Sequence, residues 1–172
     1  MRIYLIGYMG SGKSTLGRAF AQKQKLNFID FDAYLEKREQ QSIASIFNEK
    51  GEIYFRKQEA KYLKELLQGR EDAVVSLGGG TPCYGDAMER IKAAKGTSVY
   101  INVPVTELSN RLWKERDHRP VLKHQDTPEK LEEFVRKHLF ERSFYYNQAD
   151  VILRTQGQTL EESLAALEKA LL

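Results

Sequence analysis

The stretch that decides the fold is GYMGSGKST, residues 7–15, which directly follows the apolar run Ile3–Ile6. It fits the pattern G-x-x-x-x-G-K-[ST] through its first and last glycines, Lys13 and Ser14. Glycines let backbone N–H groups turn inward around phosphate oxygens, and the helix that follows points its positive end at the same place. Because the motif lies between a predicted strand and a predicted helix, it indicates a phosphate-binding loop.

The side chains of this loop predict a nucleoside triphosphate and Mg²⁺ as ligands. Lys13 can reach the β- and γ-phosphates, and the Ser14 hydroxyl can bind the metal ion. The chain carries no N/T-K-x-D segment of the kind that recognises guanine, which favours ATP over GTP. The loop residues expected to hold the nucleotide are Gly10, Ser11, Gly12, Lys13, Ser14 and Thr15.

Length and composition fit one globular domain. The chain has 172 residues, of which 41% are hydrophobic and 30% charged. Its net charge of +3 is too small to indicate a nucleic-acid partner. The single cysteine, Cys83, excludes an internal disulfide. No apolar run is long enough to span a bilayer, so we expect a cytoplasmic protein without a membrane partner. We also expect a monomer.

Strand-length apolar runs alternate with helix-length amphipathic stretches. The predicted strands are Ile3–Ile6, Phe28–Ile29, Ala73–Leu77, Ser98–Val103 and Val151–Leu153. The predicted helices are Ser14–Gln24, Ile43–Asn48, Tyr54–Leu67, Asp86–Ala94, Thr106–Lys114, Glu129–Asn147 and a last one that begins after Thr159. This alternation predicts an α/β fold whose parallel sheet is covered on both faces, with ligands beyond the carboxyl ends of the strands.

Two aspartates mark the end of the second predicted strand. In extended chain, Asp30 and Asp32 face the same side. Asp30 is then a candidate for holding a magnesium-bound water, and Asp32 for accepting a hydrogen bond and a proton from a substrate hydroxyl. The alternative is that either aspartate caps a helix N-terminus. A neighbouring phosphate loop favours the functional interpretation.

The third predicted strand ends in glycines within VVSLGGGTP, residues 74–82, where many phosphate-loop proteins carry a metal-binding aspartate. Magnesium needs few protein ligands, so this strand end is free for another task. Without side chains, the backbone N–H groups of Gly78, Gly79 and Gly80 can approach a small ligand closely. The alternative is a turn that chain geometry alone requires.

Several charged residues remain ambiguous from the sequence alone. Arg56 and Arg142 have acidic neighbours and are typical of solvated helix faces. The stretch RLWKERDHRPVLKH, residues 111–124, fits either a basic nucleic-acid patch or a mobile lid. Acidic residues interrupt it, which favours the lid.

The three histidines, His118, His124 and His138, have no metal-ligand spacing and are expected at the surface.

Together these motifs resemble the shikimate kinase family. GYMGSGKST, FIDFDAYLE, SIASIFNEKGEIYFRKQE, LGGG, RPVL and ERSFYY occur in the family's order. The resemblance implies Mg-ATP-dependent phosphorylation of the 3-hydroxyl of shikimate in aromatic amino-acid biosynthesis. It also implies a nucleoside monophosphate kinase-like fold, with a parallel sheet in order 2-3-1-4-5. One kinase domain over residues 1–172 would then contain a substrate-binding region at about 31–61 and a lid at about 114–126.

The resemblance assigns a role to each candidate residue. The substrate-binding residues that it implies are Asp32 on the hydroxyls, Arg56 and Arg142 on the carboxylate, and Gly78, Gly79 and Gly80 in the pocket wall. The nucleotide contacts that it adds are Arg111 on adenine and Arg119 over the transferring phosphate. The catalytic residues are then Lys13, Asp32 and Arg119, and the metal ligands are Ser14 and, through water, Asp30.

Two other functions compete with this interpretation. Another small-molecule kinase, such as a gluconate kinase, would share residues 7–15 but would not need both Arg56 and Arg142 on a carboxylate. A non-catalytic nucleotide-binding regulator would keep the loop and lose turnover, which the intact Lys13 and Arg119 argue against.

Overall fold

The structure, a computed structural model, describes all residues from 1 to 172. The strands are β1 (Arg2–Ile6), β2 (Asn27–Asp30), β3 (Ala73–Ser76), β4 (Thr97–Asn102) and β5 (Val151–Arg154). The α-helices are α1 (Lys13–Gln24), α2 (Phe31–Glu39), α3 (Ile43–Leu67), α4 (Ala87–Ala93), α5 (Val105–Glu115), α6 (Pro128–Tyr146) and α7 (Leu160–Leu171). None of the helices is both long and apolar enough to cross a membrane.

The strands form one parallel sheet in the order β2-β3-β1-β4-β5, which confirms the predicted fold class. Ser76 of β3 lies opposite Leu5 of β1 on one side and Asp30 of β2 on the other. The carboxyl ends of these strands therefore meet at one edge of the sheet, which is where ligands bind in such folds.

The core lies between the sheet and its flanking helices. The central strand β1 is almost wholly inaccessible, since residues 3–6 are no more than 1% exposed. Such a continuous apolar run is typical of a strand buried on both faces. Helices α1 and α7 pack together, and Glu168 of α7 accepts hydrogen bonds from Lys23 and Gln24 of α1.

The predicted helix starts at the C-terminal end of the chain are confirmed. The Thr127 side chain caps α6, with Pro128 at its first position. Thr159 and Glu162 form the predicted capping box of α7. These signals are local in sequence, so they need no tertiary information.

Helix α2 is the element that the sequence prediction missed. Its first turn contains Asp32, so the expectation that Asp32 lies in extended chain is wrong. Asp30 caps this helix, because its Oδ1 accepts a hydrogen bond from the backbone N–H of Ala33. The capping role, considered above as an alternative, is therefore real.

Helix α3 contains a sharp break between the two helices predicted there. Gly51 adopts φ 85° and ψ 171°, which is not helical. This region of backbone conformation is essentially restricted to glycine. The chain therefore forms two helical segments that meet at Gly51, and the second of them carries Arg56.

Candidate active site

One cavity of about 470 Å³ opens beyond the carboxyl ends of the central strands. The phosphate loop, the end of β2, the start of α2, the glycine run after β3 and the end of α5 form its walls. The predicted site residues that line it are Gly10, Gly12, Lys13, Ser14, Thr15, Asp30, Asp32, Gly78, Gly79, Arg111 and Arg119. Residues from distant parts of the sequence thus form one site.

The phosphate loop holds Lys13 in a buried position at the start of α1. Gly12, directly before it, has φ 88°, a left-handed conformation that favours glycine. Lys13 is 8% exposed, and its Nζ donates hydrogen bonds to the carbonyls of Gly7 at 2.8 Å and Tyr8 at 3.0 Å. Burial lowers the pKa of Lys13 to about 8, although the charge of Asp32 opposes this shift.

Three oxygen-bearing side chains meet where β1, β2 and β3 end. Ser14 Oγ lies 3.3 Å from Asp30 Oδ2 and 3.1 Å from Ser76 Oγ. Oxygen ligands of this kind suit Mg²⁺, which usually keeps several of its waters. Sequence reasoning missed Ser76, although its place two residues before the glycine run, at the end of a buried strand, was a usable signal.

Asp32 faces the cavity from the first turn of α2. Its surroundings desolvate the carboxyl and, together with the charge of Asp30, raise the pKa of Asp32 to about 6, although solvent still reaches the side chain. A Cβ atom at Gly78 would lie 2.8 Å from Asp32 Oδ1 and 2.8 Å from Thr81 Oγ1. A side chain at Gly78 would therefore displace the carboxylate, which explains the first glycine of the run.

Two arginines from different helices meet beside the third glycine. A Cβ atom at Gly80 would lie 3.0 Å from Arg56 Nη1 and 3.2 Å from Arg142 Nη2. The Nε of Arg56 is buried and has no hydrogen-bond partner. Because guanidinium groups bind carboxylates through paired N–H donors, this corner suits an acidic group.

The predicted lid consists of two short 3-10 turns, Arg116–His118 and Pro120–Leu122. Leu122 is fully buried and anchors the segment to the core. Arg119 lines the cavity, and its Nε and Nη2 donate to Glu115 Oε2 at 3.2 and 3.0 Å. The lid arginine therefore faces the phosphate loop across the cavity.

Arg111 lies against the phosphate loop from α5. Its Nη1 donates to the carbonyl of Gly10 at 3.1 Å, and its Nη2 donates to Glu107 Oε1 at 2.7 Å. Arg111 also lines a neighbouring cavity of about 240 Å³ together with Ser11 and Thr155. The arginine thus separates the main cavity from a space next to the loop.

The three histidines and Cys83 differ in how far they are exposed to solvent. His118 and His124 are exposed, as predicted. The prediction for His138 is wrong, because its ring is partly buried and its Nδ1 lies 2.9 Å from the Tyr8 hydroxyl. Burial raises the pKa of Cys83 to about 11, so its thiol stays protonated and is a poor nucleophile.

A model of the shikimate kinase family matches residues 9–171 of this sequence. The chain belongs to the shikimate kinase family. It is 42% identical to a shikimate kinase of Flavobacterium johnsoniae over 163 residues, which cover 95% of this chain and 94% of the relative. The family assignment therefore applies to nearly the whole chain.

Solved structures of family members show the same fold. A shikimate kinase from Bacteroides thetaiotaomicron is 37% identical and superposes with a TM-score of 0.90, covering 99% of this chain and 98% of the other. A shikimate kinase from Acinetobacter baumannii in complex with shikimate is 31% identical, with a TM-score of 0.84 and coverage of 99% and 90%. Both comparisons agree with the sheet order described above.

Glu59 and Tyr84 hold Arg56 in this family member, and sequence reasoning missed both roles. Buried Glu59 accepts a hydrogen bond from Arg56 Nη1 at 2.9 Å and another from Thr81 Oγ1 at 2.9 Å. The Tyr84 ring lies 3.7 Å from Arg56 Cζ. The spacing of Glu59 three residues after Arg56 was a usable signal, whereas nothing local linked Tyr84 to this helix.

Proposed function

We propose that this chain transfers the γ-phosphoryl group of ATP to the 3-hydroxyl of shikimate. The observation that carries the proposal is the convergence of Arg56 and Arg142 on Gly80, beside Asp32 and the phosphate loop. A small acid with several hydroxyls fits such a site, because it needs a cationic fork at one end and short polar contacts elsewhere. The shikimate bound to the relative from Acinetobacter baumannii supports the same substrate.

On this proposal two arginines hold the acid end of shikimate. Arg56 and Arg142 bind the carboxylate through the Nη groups that they place beside Gly80. Gly78 and Gly79 leave room for the ring to approach the backbone. Fixing the carboxylate orients one particular hydroxyl toward the phosphate loop, which lowers the entropic part of the barrier.

Asp32 then receives the reacting hydroxyl. Its pKa of about 6 leaves the carboxylate ionised at neutral pH, so it can accept a hydrogen bond from that hydroxyl and take its proton as the phosphoryl group is transferred. The transition state of phosphoryl transfer is loose and demands positioning more than a strong base. A moderately raised pKa is sufficient for this role.

Two cationic side chains face the nucleotide side of the site. Lys13 and Arg119 stabilise negative charge on the transferring group, while backbone N–H groups of the loop hold the phosphates. The oxygens of Ser14 and Asp30 fit Mg²⁺, with Asp30 acting through a water molecule. When bound, Mg²⁺ neutralises charge on the β- and γ-phosphates. Arg111 lies where it can stack on the adenine.

We further propose that residues 1–172 form one kinase domain in which two regions have different functions. Residues of about 31–61 bind shikimate, and residues of about 114–126 close over the nucleotide and exclude water. Exclusion of water prevents wasteful hydrolysis of ATP. Neither a membrane nor a nucleic acid takes part in this chemistry, so we propose that the enzyme acts in the cytoplasm with small molecules as its only partners. We also propose that it is a monomer.

A coupled assay of ADP production from Mg-ATP tests the proposal directly. We expect strong stimulation by shikimate and none by gluconate, quinate or AMP. Stimulation by another acceptor would keep the nucleotide site and overturn the acid pocket. Binding of ATP without stimulation by any acceptor would favour a non-catalytic regulator instead.

A pair of arginine variants on α6 tests the acid pocket in the same assay. Arg142→Ala is expected to raise the KM for shikimate at least tenfold, because it removes half of the carboxylate fork. Arg136→Ala, six residues earlier on the same helix, is the matched control, since Arg136 is exposed and contacts Glu132. Equal effects of the two substitutions would contradict the assignment.

A further inference from the structure

Tyr8 belongs to the phosphate loop through its backbone and to α6 through its side chain. Its carbonyl oxygen accepts a hydrogen bond from Lys13 Nζ at 3.0 Å. Its side chain is 1% exposed, and its hydroxyl lies 2.9 Å from Nδ1 of His138. The two rings meet edge to face, with 5.4 Å between their centroids. One residue therefore contacts both the phosphate-binding lysine and the helix that carries Arg142.

The contact between Tyr8 and His138 joins two uncharged groups near neutral pH. Burial raises the pKa of the Tyr8 hydroxyl, so it stays protonated. Burial, with the nearby charge of Arg142, lowers the pKa of His138 to about 4, so its ring stays neutral. The hydrogen bond is therefore maintained over the physiological range and acts as a fixed link.

Arg142 follows His138 by one turn of α6 and completes the connection. Its Cζ lies 5.9 Å from the centroid of the Tyr8 ring. A Cβ atom at Gly79 would lie 3.4 Å from Arg142 Nη1 and 3.5 Å from the carbonyl oxygen of Gly7. The phosphate loop, the glycine run and the acid-binding helix thus pack directly against one another around Tyr8.

We propose that Tyr8 and His138 are a positioning pair that couples the nucleotide site to the shikimate site. The phosphates of a nucleotide compete with the carbonyls of Gly7 and Tyr8 for Lys13 Nζ, so nucleotide binding changes the restraint on the Tyr8 backbone. The Tyr8 side chain passes this change to α6, where it alters the orientation of Arg142. Each substrate then changes the affinity for the other by the same factor, because linkage is reciprocal. We expect this change to be an increase in affinity.

This inference rests on the proposed function, and one set of titrations tests both. The Kd of shikimate is measured by calorimetry alone and with saturating Mg²⁺ and the non-hydrolysable β,γ-imido analogue of ATP. The ratio of the two Kd values is the coupling factor. We expect a factor of about five or more in the wild-type chain, the lower end of typical allosteric coupling. In Tyr8→Phe and in His138→Phe we expect it to fall below about twofold, since each loses one partner of the bond.

The double variant and a matched control separate positioning from simple loss of stability. Tyr8→Phe with His138→Phe is expected to give the same low factor as either single change, because the two residues act as one unit. Tyr4→Phe removes the hydroxyl of another buried tyrosine, whose partners Arg2 and Lys95 lie at the opposite end of the sheet. This control is expected to keep the wild-type factor even where its melting temperature falls.

Each outcome has a definite meaning. A coupling factor that is unchanged in Tyr8→Phe overturns the inference, and so does a wild-type chain that shows no coupling. In both cases shikimate still binds, so the proposed function stands. Failure of the wild-type chain to bind shikimate at all overturns the proposed function and the inference with it.

Discussion

Lys13 and Asp32 show how the cavity changes the pKa values of individual residues. Burial lowers the pKa of Lys13 to about 8, whereas desolvation and the neighbouring Asp30 raise the pKa of Asp32 to about 6. Both groups are in their charged forms only between these two values. The surrounding cavity therefore confines the state in which both residues are charged to a narrow range of pH around neutrality.

The pH dependence of kcat/KM is expected to reflect these two residues. Below about pH 6, kcat/KM is expected to fall because protonation of Asp32 removes the acceptor for the substrate hydroxyl. Above about pH 8, kcat/KM is expected to fall because deprotonation of Lys13 removes the positive charge that binds phosphate. Asp32→Asn is expected to lower kcat by roughly a hundredfold or more and to abolish the acidic limb. Steady-state kinetics from pH 5 to 9 check this, and an acidic limb that persists in Asp32→Asn would contradict the assignment.

The positions of individual residues in the cavity were predictable from the sequence only where the signal was local. The phosphate-loop pattern located Lys13 and Ser14 from a few adjacent residues. Arg56 taken alone was typical of a solvated helix face, and only the family resemblance singled it out. Its stacking partner Tyr84 is 28 residues away in sequence (84 minus 56). Contacts of this kind depend on how separate elements pack together, so they cannot be predicted from periodicity or composition.

At the scale of elements, α3 is two helices joined at Gly51. Phe47 before the break packs against Phe55 after it, with 4.6 Å between ring centroids and 37° between the ring planes. Glu39 of α2 accepts hydrogen bonds from Tyr54 and Tyr62 in the second segment. The break therefore sets the angle at which the segment carrying Arg56 approaches Gly80.

Gly51→Ala is expected to disturb this angle. A Cβ atom would meet nothing within 4 Å, so the cost arises from the backbone conformation itself and amounts to about 1–3 kcal/mol of unfolding free energy. Any relaxation toward a continuous helix moves Arg56, so the KM for shikimate is expected to rise while the KM for ATP stays within about twofold. Chemical denaturation and steady-state kinetics measure the two effects.

Gly157→Ala is the matched control for this prediction. Gly157 also has a positive φ, 65°, and free space around its Cβ position, but it lies in the turn between β5 and α7. We expect this variant to lose stability without a change in the KM for shikimate. A similar rise in both variants would show that general destabilisation, and not the orientation of α3, governs shikimate binding.

Helix α2 shows where element prediction from sequence fails. The short segment FDAYLEKRE has no strong apolar period, and it directly follows a strand without a glycine or proline. The signal for its start was Asp30 as a helix cap. That signal was overlooked because the sequence analysis assigned Asp30 to a magnesium site. Asp30 serves both purposes, since one carboxylate oxygen caps α2 and the other faces Ser14.

At the scale of the whole molecule, the parallel sheet gathers the site at one edge. The alternation of strands and helices predicted the parallel sheet, whereas its order came from the family resemblance. That edge brings together cationic side chains from four regions of the chain: Lys13, Arg56, Arg111, Arg119 and Arg142. Asp30, Asp32 and Glu115 line the same cavity, and Glu59 and Glu107 pair with Arg56 and Arg111. The site therefore binds anionic ligands through individually placed donors and not through an excess of positive charge.

Ligand binding is therefore expected to stabilise the whole fold, and the two substrates are expected to do so through different residues. A ligand at one hundred times its Kd adds about 2.7 kcal/mol, which for a chain of this size raises the melting temperature by about 5–10 °C. Measured with one ligand at a time, Arg56→Ala is expected to lose the shift caused by shikimate and keep the shift caused by Mg-ATP. Lys13→Ala is expected to do the reverse. If Arg56→Ala lost both shifts, Arg56 would maintain the fold of the cavity and not the carboxylate site. Thermal denaturation of three proteins with two ligands thus separates the acid-binding half of the site from the phosphate-binding half.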